Sequence, residues 1–205
     1  MAKTSLTREV VLEEALALAD AEGFDAVGIR PVADRLGVTP MALYRYVDSK
    51  DDLLGGLVDL MYAQLELPPS SAQGDWFERL LVLARSARRA LLAHPGSIHL
   101  LTSRSAHGPH ELRVAEGMLE ILRAGGFSPE ETAHIHSQIT RVVLGLIAVE
   151  AEGTGSSGGE LASVSPDEYP RLAEIAPFLA VRRDPDAVFE DGMELLRSGL
   201  EARLR

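Results

Sequence analysis

Basic side chains are concentrated between Gly28 and Lys50, although the whole chain of 205 residues carries a formal net charge of −11. This stretch holds four basic residues against two acidic ones: Arg30, Arg35, Arg45 and Lys50 against Asp34 and Asp48. Local Lys and Arg neutralise phosphates, whereas an acidic remainder repels them elsewhere. The chemistry of this stretch therefore suits a polyanionic partner such as nucleic acid.

Residue sets for catalysis or metal binding do not stand out. The chain has no cysteine, which excludes disulfides, thiolate zinc sites and cysteine nucleophiles together. Ser157 lies in a glycine-rich run without the strand that precedes a hydrolase nucleophile. His134 and His136 stand two apart and cannot share a helix face, while His107 and His110 flank a Gly-Pro turn. We expect a protein that is not an enzyme, with no metal site and no cofactor.

Helix start and stop signals recur along the chain, and no alternating pattern persists long enough to predict a strand. We therefore predict an all-α fold. A first helix is predicted from Thr7 to Gly23, a second from Arg30 to Gly37 and a third from Thr39 to Val47, with Thr39 as its N-cap. Two short helices joined by a glycine-containing turn are typical of a helix-turn-helix, whose second helix enters the DNA major groove.

The polar, proline-containing segment 68–74 is the predicted boundary between an N-terminal domain, residues 1–66, and a larger C-terminal helical domain, residues 67–205. Seven more helices are predicted, the fourth in the first domain and the rest in the second. Among these, the eighth is the most apolar, and Gly192 and Gly199 share a face of the tenth. The predicted helix starts are Ser49, Asp75, Ser97, Gly108, Ser128, Ser165 and Asp184.

The run from Arg30 to Leu54, RPVADRLGVTPMALYRYVDSKDDLL, resembles the tetracycline-repressor (TetR) family. The matching features are an alanine in the shorter helix, a Gly-Val turn, a Leu-Tyr-x-Tyr-aliphatic segment, a lysine and an apolar helix start. The C-terminal part is most similar to the branch that contains the tetracycline repressors themselves. The resemblance implies a repressor, and its matching residues are Ala33, Gly37, Val38, Leu43, Tyr44, Tyr46, Val47, Lys50, Leu53 and Leu54.

The same resemblance implies roles for individual residues in binding operator DNA. Tyr44 and Tyr46 correspond to phosphate and groove contacts, Lys50 to a backbone anchor, and Arg30 to a contact from the shorter helix. The positions where base edges are met are Thr39, Pro40, Met41 and Ala42. Met41 and Ala42 offer apolar contact to a thymine methyl, and Arg45 offers a bidentate contact to guanine.

For the C-terminal domain the resemblance implies an effector pocket and a homodimer built from the eighth and tenth helices. Ligand binding there would favour a conformation with wrongly spaced reading heads. The apolar composition of the expected lining suggests an apolar or aromatic small molecule. That lining is Trp76, Phe77, Leu80, Leu101, Met118, Leu122, Ile139 and Val143, each of which could equally be ordinary core.

A helical interaction module without DNA-binding activity is the main alternative, because it would show the same amphipathic faces. The helix-turn-helix motif alone opposes it. No run of about 18 uncharged apolar residues is present, so no membrane span is predicted. We therefore expect a cytoplasmic protein with DNA and a small molecule as partners.

Overall fold

The computed structural model describes residues 5–69, 75–96, 98, 100–101, 108–153, 164–181 and 183–204. Within these residues the chain forms nine complete α-helices and a 3-10 helix, Phe24–Ala26, with no strand. The predicted all-α class is confirmed. The helices are α1 Arg8–Glu22, α2 Ile29–Leu36, α3 Pro40–Leu43, α4 Lys50–Ala63, α5 Trp76–Ala93, α6 Pro109–Ala124, α7 Pro129–Ala151, α8 Pro170–Leu179 and α9 Pro185–Glu201.

Two stretches with sequence-based predictions fall largely outside the described residues. Of the sixth predicted helix, Ser97 to Arg104, only Ile98, Leu100 and Leu101 are described, and these three are helical. The glycine-rich run that begins at Gly153 continues through residues that the structure does not describe. The eighth and tenth predicted helices correspond to α7 and α9.

The chain divides into two compact units, residues 1–132 and 133–205, and α7 contributes to both. The division into residues 1–66 and 67–205, placed at the polar segment 68–74, stays a prediction.

Helices α1 to α4 close around one hydrophobic cluster at the start of the first unit. Helix α1 begins where the Thr7 hydroxyl accepts a hydrogen bond from the Val10 N–H, and it ends at Gly23, whose φ of 88° favours glycine. The helix buries its apolar face, which includes Val11 and Ala15. This packing fixes the platform on which α2 and α3 lie.

Helix α3 is shorter than the sequence predicts, because it ends at Leu43 instead of Val47. Beyond Leu43 the N–H groups of Arg45 and Tyr46 bond carbonyls only three residues back, those of Ala42 and Leu43. This tighter hydrogen bonding is typical of a helix end that becomes a turn. Thr39 is the N-cap as predicted, but its hydroxyl makes no capping hydrogen bond.

Helices α4 and α6 cap each other within the first unit. The Asp59 carboxylate of α4 accepts hydrogen bonds from the N–H groups of His110 and Glu111, at 2.9 and 3.1 Å. In return, the Arg113 guanidinium of α6 donates to the carbonyls of Tyr62, in the last turn of α4, and of Leu65, just beyond the helix. These reciprocal contacts satisfy the polar groups that each helix end leaves open.

Two of the predicted helix starts, Ser128 and Ser165, are each followed three residues later by a glutamate, the pattern that predicts a capping box, and the two have different outcomes. At Ser128 the box is confirmed: the Ser128 N–H donates to the Glu131 carboxylate at 2.8 Å, and the Glu131 N–H donates to the Ser128 hydroxyl at 3.2 Å. At Ser165 the prediction is wrong, because α8 begins only at Pro170. A helix running through Tyr169 would place Pro170 in its interior, where the missing N–H and the ring both disfavour it.

These two serines provide a direct stability test. Ser128→Ala should lower the free energy of unfolding by about 1 kcal/mol, because it removes an N-cap acceptor. Ser165→Ala is the matched control and should change that free energy by less than about 0.5 kcal/mol. Urea unfolding followed by circular dichroism measures both. Equal losses in the two variants would contradict the helix boundary at Pro170.

Candidate nucleic-acid interface

The turn between α2 and α3 is set by Gly37. Its φ of 65° lies in the left-handed region, and the Val38 N–H reaches back to the Ala33 carbonyl at 3.0 Å. This bond is the signature of a Schellman motif, which ends a helix at a glycine. Thr39 is then extended and Pro40 occupies the first turn of α3. The structure thus contains the two-helix unit that the spacing predicts.

None of the nine residues predicted to contact DNA is buried. Met41 is 75% exposed and Tyr44 is 49% exposed, while the intervening Leu43 is fully buried. Arg30, Thr39, Arg45 and Lys50 are also exposed, and Pro40, Ala42 and Tyr46 are partly exposed. Leu43 therefore fixes this segment to the core, while Met41, Tyr44 and Arg45 face solvent.

Tyr46 differs from Tyr44 in its surroundings. Its side chain packs against the hydrophobic cluster formed by α1 to α4, whereas the side chain of Tyr44 is exposed. The next residue, Val47, is buried. Tyr46 is thus partly a core residue, and Tyr44 is the better placed of the two aromatic residues to contact a partner.

Arg8 is a residue near this turn that the sequence analysis does not single out. Its guanidinium donates to the Tyr46 carbonyl at 2.6 Å and to both Asp52 carboxylate oxygens at 2.9 and 2.7 Å. The partners are 38 and 44 residues away in the chain, so spacing gives no hint of them. The available signal is a cation in the first turn of α1, where the helix dipole disfavours positive charge.

Asp52 connects this contact to the start of α4. Its carboxylate also accepts from the Asp48 N–H at 2.9 Å, while its own N–H donates to the Ser49 hydroxyl. The hydrogen bond from Arg8 lowers the pKa of the Asp52 carboxyl, and it raises the pKa of the Arg8 guanidinium. Above its ordinary pKa Asp52 is ionised in both the folded and unfolded states, so the pair contributes its full stabilisation there.

The pair makes a testable pH prediction. As the pH falls below about 4, the unfolded chain takes up the Asp52 proton first, and the stabilisation is lost as the pH passes the lower folded pKa. The loss is a fraction of 1 kcal/mol, about the value of an exposed ion pair. Carbon-detected NMR titration of the Asp52 carboxyl should show a higher midpoint in Arg8→Met than in the unaltered chain. An unchanged midpoint would contradict the pairing.

The residues predicted to line an effector pocket are buried or partly buried. Trp76 makes edge-to-face contacts with Phe77 and Phe127, with ring centroids 5.5 and 5.3 Å apart. Gly125 leaves room for the indole, because a Cβ there would lie 2.8 Å from it. The sequence analysis did not include Phe127, which is fully buried. Of the predicted lining, Trp76 and Leu101 are partly exposed; each of the others is buried in its own unit, namely Phe77, Leu80, Met118 and Leu122 in the first and Ile139 and Val143 in the second.

Among the histidines that the structure describes, His94 and His110 have carboxylate partners. His94 Nδ1 lies 2.9 Å from the Asp20 carboxylate, and His110 Nδ1 lies 2.8 Å from that of Asp59. The first pair joins α1 to the residue that follows α5, and the second joins α4 to α6. Across the described parts of the chain, no group of three metal-ligating side chains is close enough to hold an ion.

The second unit carries an open apolar groove of about 1230 Å³ along α7, α8 and α9. It exceeds the 300–1,000 Å³ typical of small-molecule pockets. Phe178 is 71% exposed beside it, and Leu195 on α9 is 77% exposed. Gly192, by contrast, packs within the chain against Leu146, 2.9 Å from where its Cβ would be, while Gly199 has nothing within 4 Å. The groove thus has the character of an unpartnered helix face.

Comparisons with known proteins cover nearly the whole chain. Residues 11–57 match the family model of bacterial regulatory proteins of the tetR family, and residues 68–204 match that of the tetracyclin repressor-like C-terminal domain. The helices of the described residues include none that is long and apolar enough to cross a membrane.

Relatives and solved structures agree with these matches. An HTH-type transcriptional regulator of Saccharopolyspora erythraea is 29% identical over 98% of this chain and 86% of the relative. The class D tetracycline repressor protein of Escherichia coli is 30% identical, over 97% of this chain and 91% of the repressor. The structure of the TetR family protein ActR of Streptomyces coelicolor in complex with actinorhodin is 29% identical, with a TM-score of 0.86 over 97% of this chain and 98% of ActR. The chain belongs to the tetR family of bacterial regulatory proteins.

Proposed function

We propose that this protein is a ligand-responsive transcriptional repressor of the cytoplasm, which binds palindromic operator DNA as a homodimer and releases it when a small molecule binds. The observation that carries the proposal is the surface formed by α3 and the turn after it, where Met41, Tyr44 and Arg45 are exposed around a buried Leu43. Tyr and Arg are common in protein–protein interfaces too, but here they lie just after the second helix of a helix-turn-helix, the element that enters the DNA major groove.

The division of labour on DNA follows from side-chain chemistry. Arg45 carries the planar guanidinium that pairs with guanine, and Met41 supplies an apolar surface for a thymine methyl. Lys50, in the first turn of α4, and Arg30, in the first turn of α2, are exposed cations suited to phosphate oxygens. Tyr44 contributes a ring and a hydroxyl beside them. Thr39, Pro40 and Ala42 complete the edge that would approach the bases.

The groove of the second unit supports a homodimer. Exposed apolar residues recur seven apart on two helices of the groove, with Val142 and Val149 on α7 and Val188 and Leu195 on α9. Val142, Val149 and Val188 line the groove, and Leu195 continues the face of Val188 along α9. Because seven residues are almost two helical turns, each pair forms one continuous stripe. A second copy of the chain would cover both stripes with its own. The dimer would then place two reading heads about 34–36 Å apart on DNA.

The aromatic cluster of the first unit supports an apolar or aromatic effector. Trp76 is partly exposed, and its indole N–H is a donor that could orient a polar group of a ligand. ActR, which this chain resembles at a TM-score of 0.86, has been solved with actinorhodin and with (S)-DNPA. Ligands of this aromatic kind are therefore the first to test. Ile139 and Val143 on α7 remain sequence-based predictions for the same role.

One experiment in two stages tests the proposal. The purified protein is incubated with sheared genomic DNA, and the retained fragments are sequenced and aligned. We expect a shared near-palindromic motif, and we expect actinorhodin, (S)-DNPA, tetracycline or another aromatic compound of a small panel to release the labelled fragment. Retention of fragments without a common motif would contradict operator binding. Enrichment of a motif that no compound releases would contradict the effector part alone.

A further inference from the structure

The segment that would face DNA has little helical support of its own. Helix α3 has four residues, and the turn after it depends on local hydrogen bonds from Tyr46 and Val47 to the Leu43 carbonyl, at 2.8 and 3.0 Å. Fixing a flexible backbone costs conformational entropy, so a loose turn would bear this cost when it bound DNA. Something must hold the turn in place beforehand if Tyr44 and Arg45 are to be displayed in one geometry.

We propose that Arg8 is a positioning residue for DNA binding, because its guanidinium ties the Tyr46 carbonyl to the Asp52 carboxylate and so fixes the turn that presents Tyr44 and Arg45. The proposal rests on the reading role proposed for that turn. It assigns to the start of α1 a function that the DNA-facing residues themselves cannot supply.

The contact holds the turn from both sides. On one side, Arg8 Nη1 binds the Tyr46 carbonyl at 2.6 Å; on the other, the Asp52 carboxylate accepts from the Asp48 N–H at 2.9 Å. The two meet where the Arg8 guanidinium and the Asp52 carboxylate form a bidentate pair. Val47, the residue enclosed between these two anchors, is buried. The backbone from Tyr46 to Asp48 is therefore tied to α1 and α4 together.

Gly56 of α4 allows α1 to lie close to α4 at this contact. A Cβ at Gly56 of α4 would lie 2.6 Å from the Leu12 side chain and 3.4 Å from Arg8 Nη2. Glycine thus allows α1 to pack close to α4 beside the guanidinium. The lack of a side chain at Gly56 and the ion pair are thus two parts of the same contact between α1 and α4.

A direct phosphate contact is the rival role for Arg8, because its side chain is 44% exposed. The geometry favours positioning, since three of the five guanidinium N–H donors are directed at protein acceptors. Arg8 also neutralises acidic groups at this end of the domain, with Asp48 and Asp59 acting on it as well as Asp52. If Arg8 acted only by neutralising these acids, lysine would serve equally well. The test therefore includes Arg8→Lys.

The test compares Arg8→Met, Arg8→Lys, Asp52→Asn and the Arg8→Met/Asp52→Asn double variant, with Asp51→Asn as the control that removes a neighbouring acid. Binding is measured by fluorescence anisotropy on a labelled 20-base-pair duplex of mixed sequence at low salt. We expect Arg8→Met and Asp52→Asn each to weaken binding about 5-fold, and the double variant to be no weaker than either single one. Asp51→Asn should bind as well as or better than the unaltered chain.

Three outcomes would overturn the positioning role. If Asp52→Asn strengthens binding while Arg8→Met weakens it, Arg8 contacts DNA directly. If the two substitutions add in the double variant, they act independently. If Arg8→Lys binds as tightly as arginine, neutralisation suffices. Circular dichroism of each variant confirms that the fold is retained.

A measurement on the free protein keeps this inference separate from the proposed function. Amide hydrogen exchange at Tyr46 to Asp48 should be about 5-fold faster in Arg8→Met and in Asp52→Asn, and unchanged in Asp51→Asn. Unchanged exchange in Arg8→Met would refute the role of Arg8 whether or not DNA binds. Faster exchange in a chain that binds no duplex at all would instead refute the proposed function and leave the tie itself established.

Discussion

Replacing Tyr44 and Lys50 together with alanine should weaken operator binding by about 100-fold or more while the melting temperature stays within a few degrees. Single contacts of a reading head are worth about 1–3 kcal/mol each, and the two residues contribute different contacts. Both side chains are exposed, so their removal leaves no cavity in the cluster formed by α1 to α4. Fluorescence anisotropy on a recovered genomic fragment and a thermal scan measure the two effects.

The control for this pair is Arg171→Ala. Arg171 is an exposed cation of α8 in the second unit, paired with Glu174 at 2.9 Å. Its loss removes one positive charge, as the loss of Lys50 does, without touching the reading turn. We expect less than a 2-fold change in operator affinity. Equal weakening by Arg171→Ala would mean that overall charge governs binding and would contradict the assigned interface.

Placing charges on the apolar stripes of the second unit should convert the protein to a monomer. Val149→Glu and Leu195→Glu each put a carboxylate where a second chain would bury it, at a cost of several kcal/mol. A cost of about 4 kcal/mol raises the dissociation constant of the dimer roughly 1000-fold. Sedimentation equilibrium at micromolar concentration should show a dimer for the unaltered chain and a monomer for the double variant.

Val82→Glu is the matched control for these charges. Val82 is an exposed apolar residue of α5, outside the groove, so the same substitution should leave the dimer intact. The monomeric double variant should also lose affinity for a palindromic site, because it reads one half-site at a time. A dimer that survives Val149→Glu and Leu195→Glu would show that the groove is not the interface.

Much of the fold could be predicted from helix caps. The predicted box at Ser128 is formed, the helix after Asp184 begins at Pro185, and the turn at Gly37 has the left-handed conformation that glycine permits. Such signals are local, since the groups that satisfy a helix end lie within a few residues of it. For the same reason the all-α class and the two-helix reading unit followed from the sequence.

The predicted helix boundaries were wrong where a group outside the local pattern determines the structure. No residue between Leu43 and Val47 disfavours a helix, yet the turn there presents the Tyr46 carbonyl to Arg8, which is 38 residues away. At Ser165 the box has the right residues, but the helix begins only at Pro170, which occupies the first turn, where proline is tolerated best. Long-range ion pairs leave no periodic trace in a sequence, so the Arg8–Asp52 pair had to come from the structure.

The pairing of α4 with α6 was equally beyond the sequence. Asp59 stands in an apolar helix, where a carboxylate suggests only a solvated face, yet it caps α6 through the N–H groups of His110 and Glu111. Gly108 allows this approach, because a Cβ there would overlap the Asp59 carboxylate. Of the candidate site, the exposed residues were predicted individually, whereas the contacts that hold them in place were not.

Hydroxyl-radical footprinting of the protein on its recovered genomic fragment tests the central claim most directly. A homodimer has two copies of α3 and the turn after it. These two copies should protect two patches of the duplex, centred about 10 base pairs apart and related by a two-fold axis. The Tyr44→Ala/Lys50→Ala variant should protect neither patch. A single protected patch, or protection that the variant retains, would contradict the account.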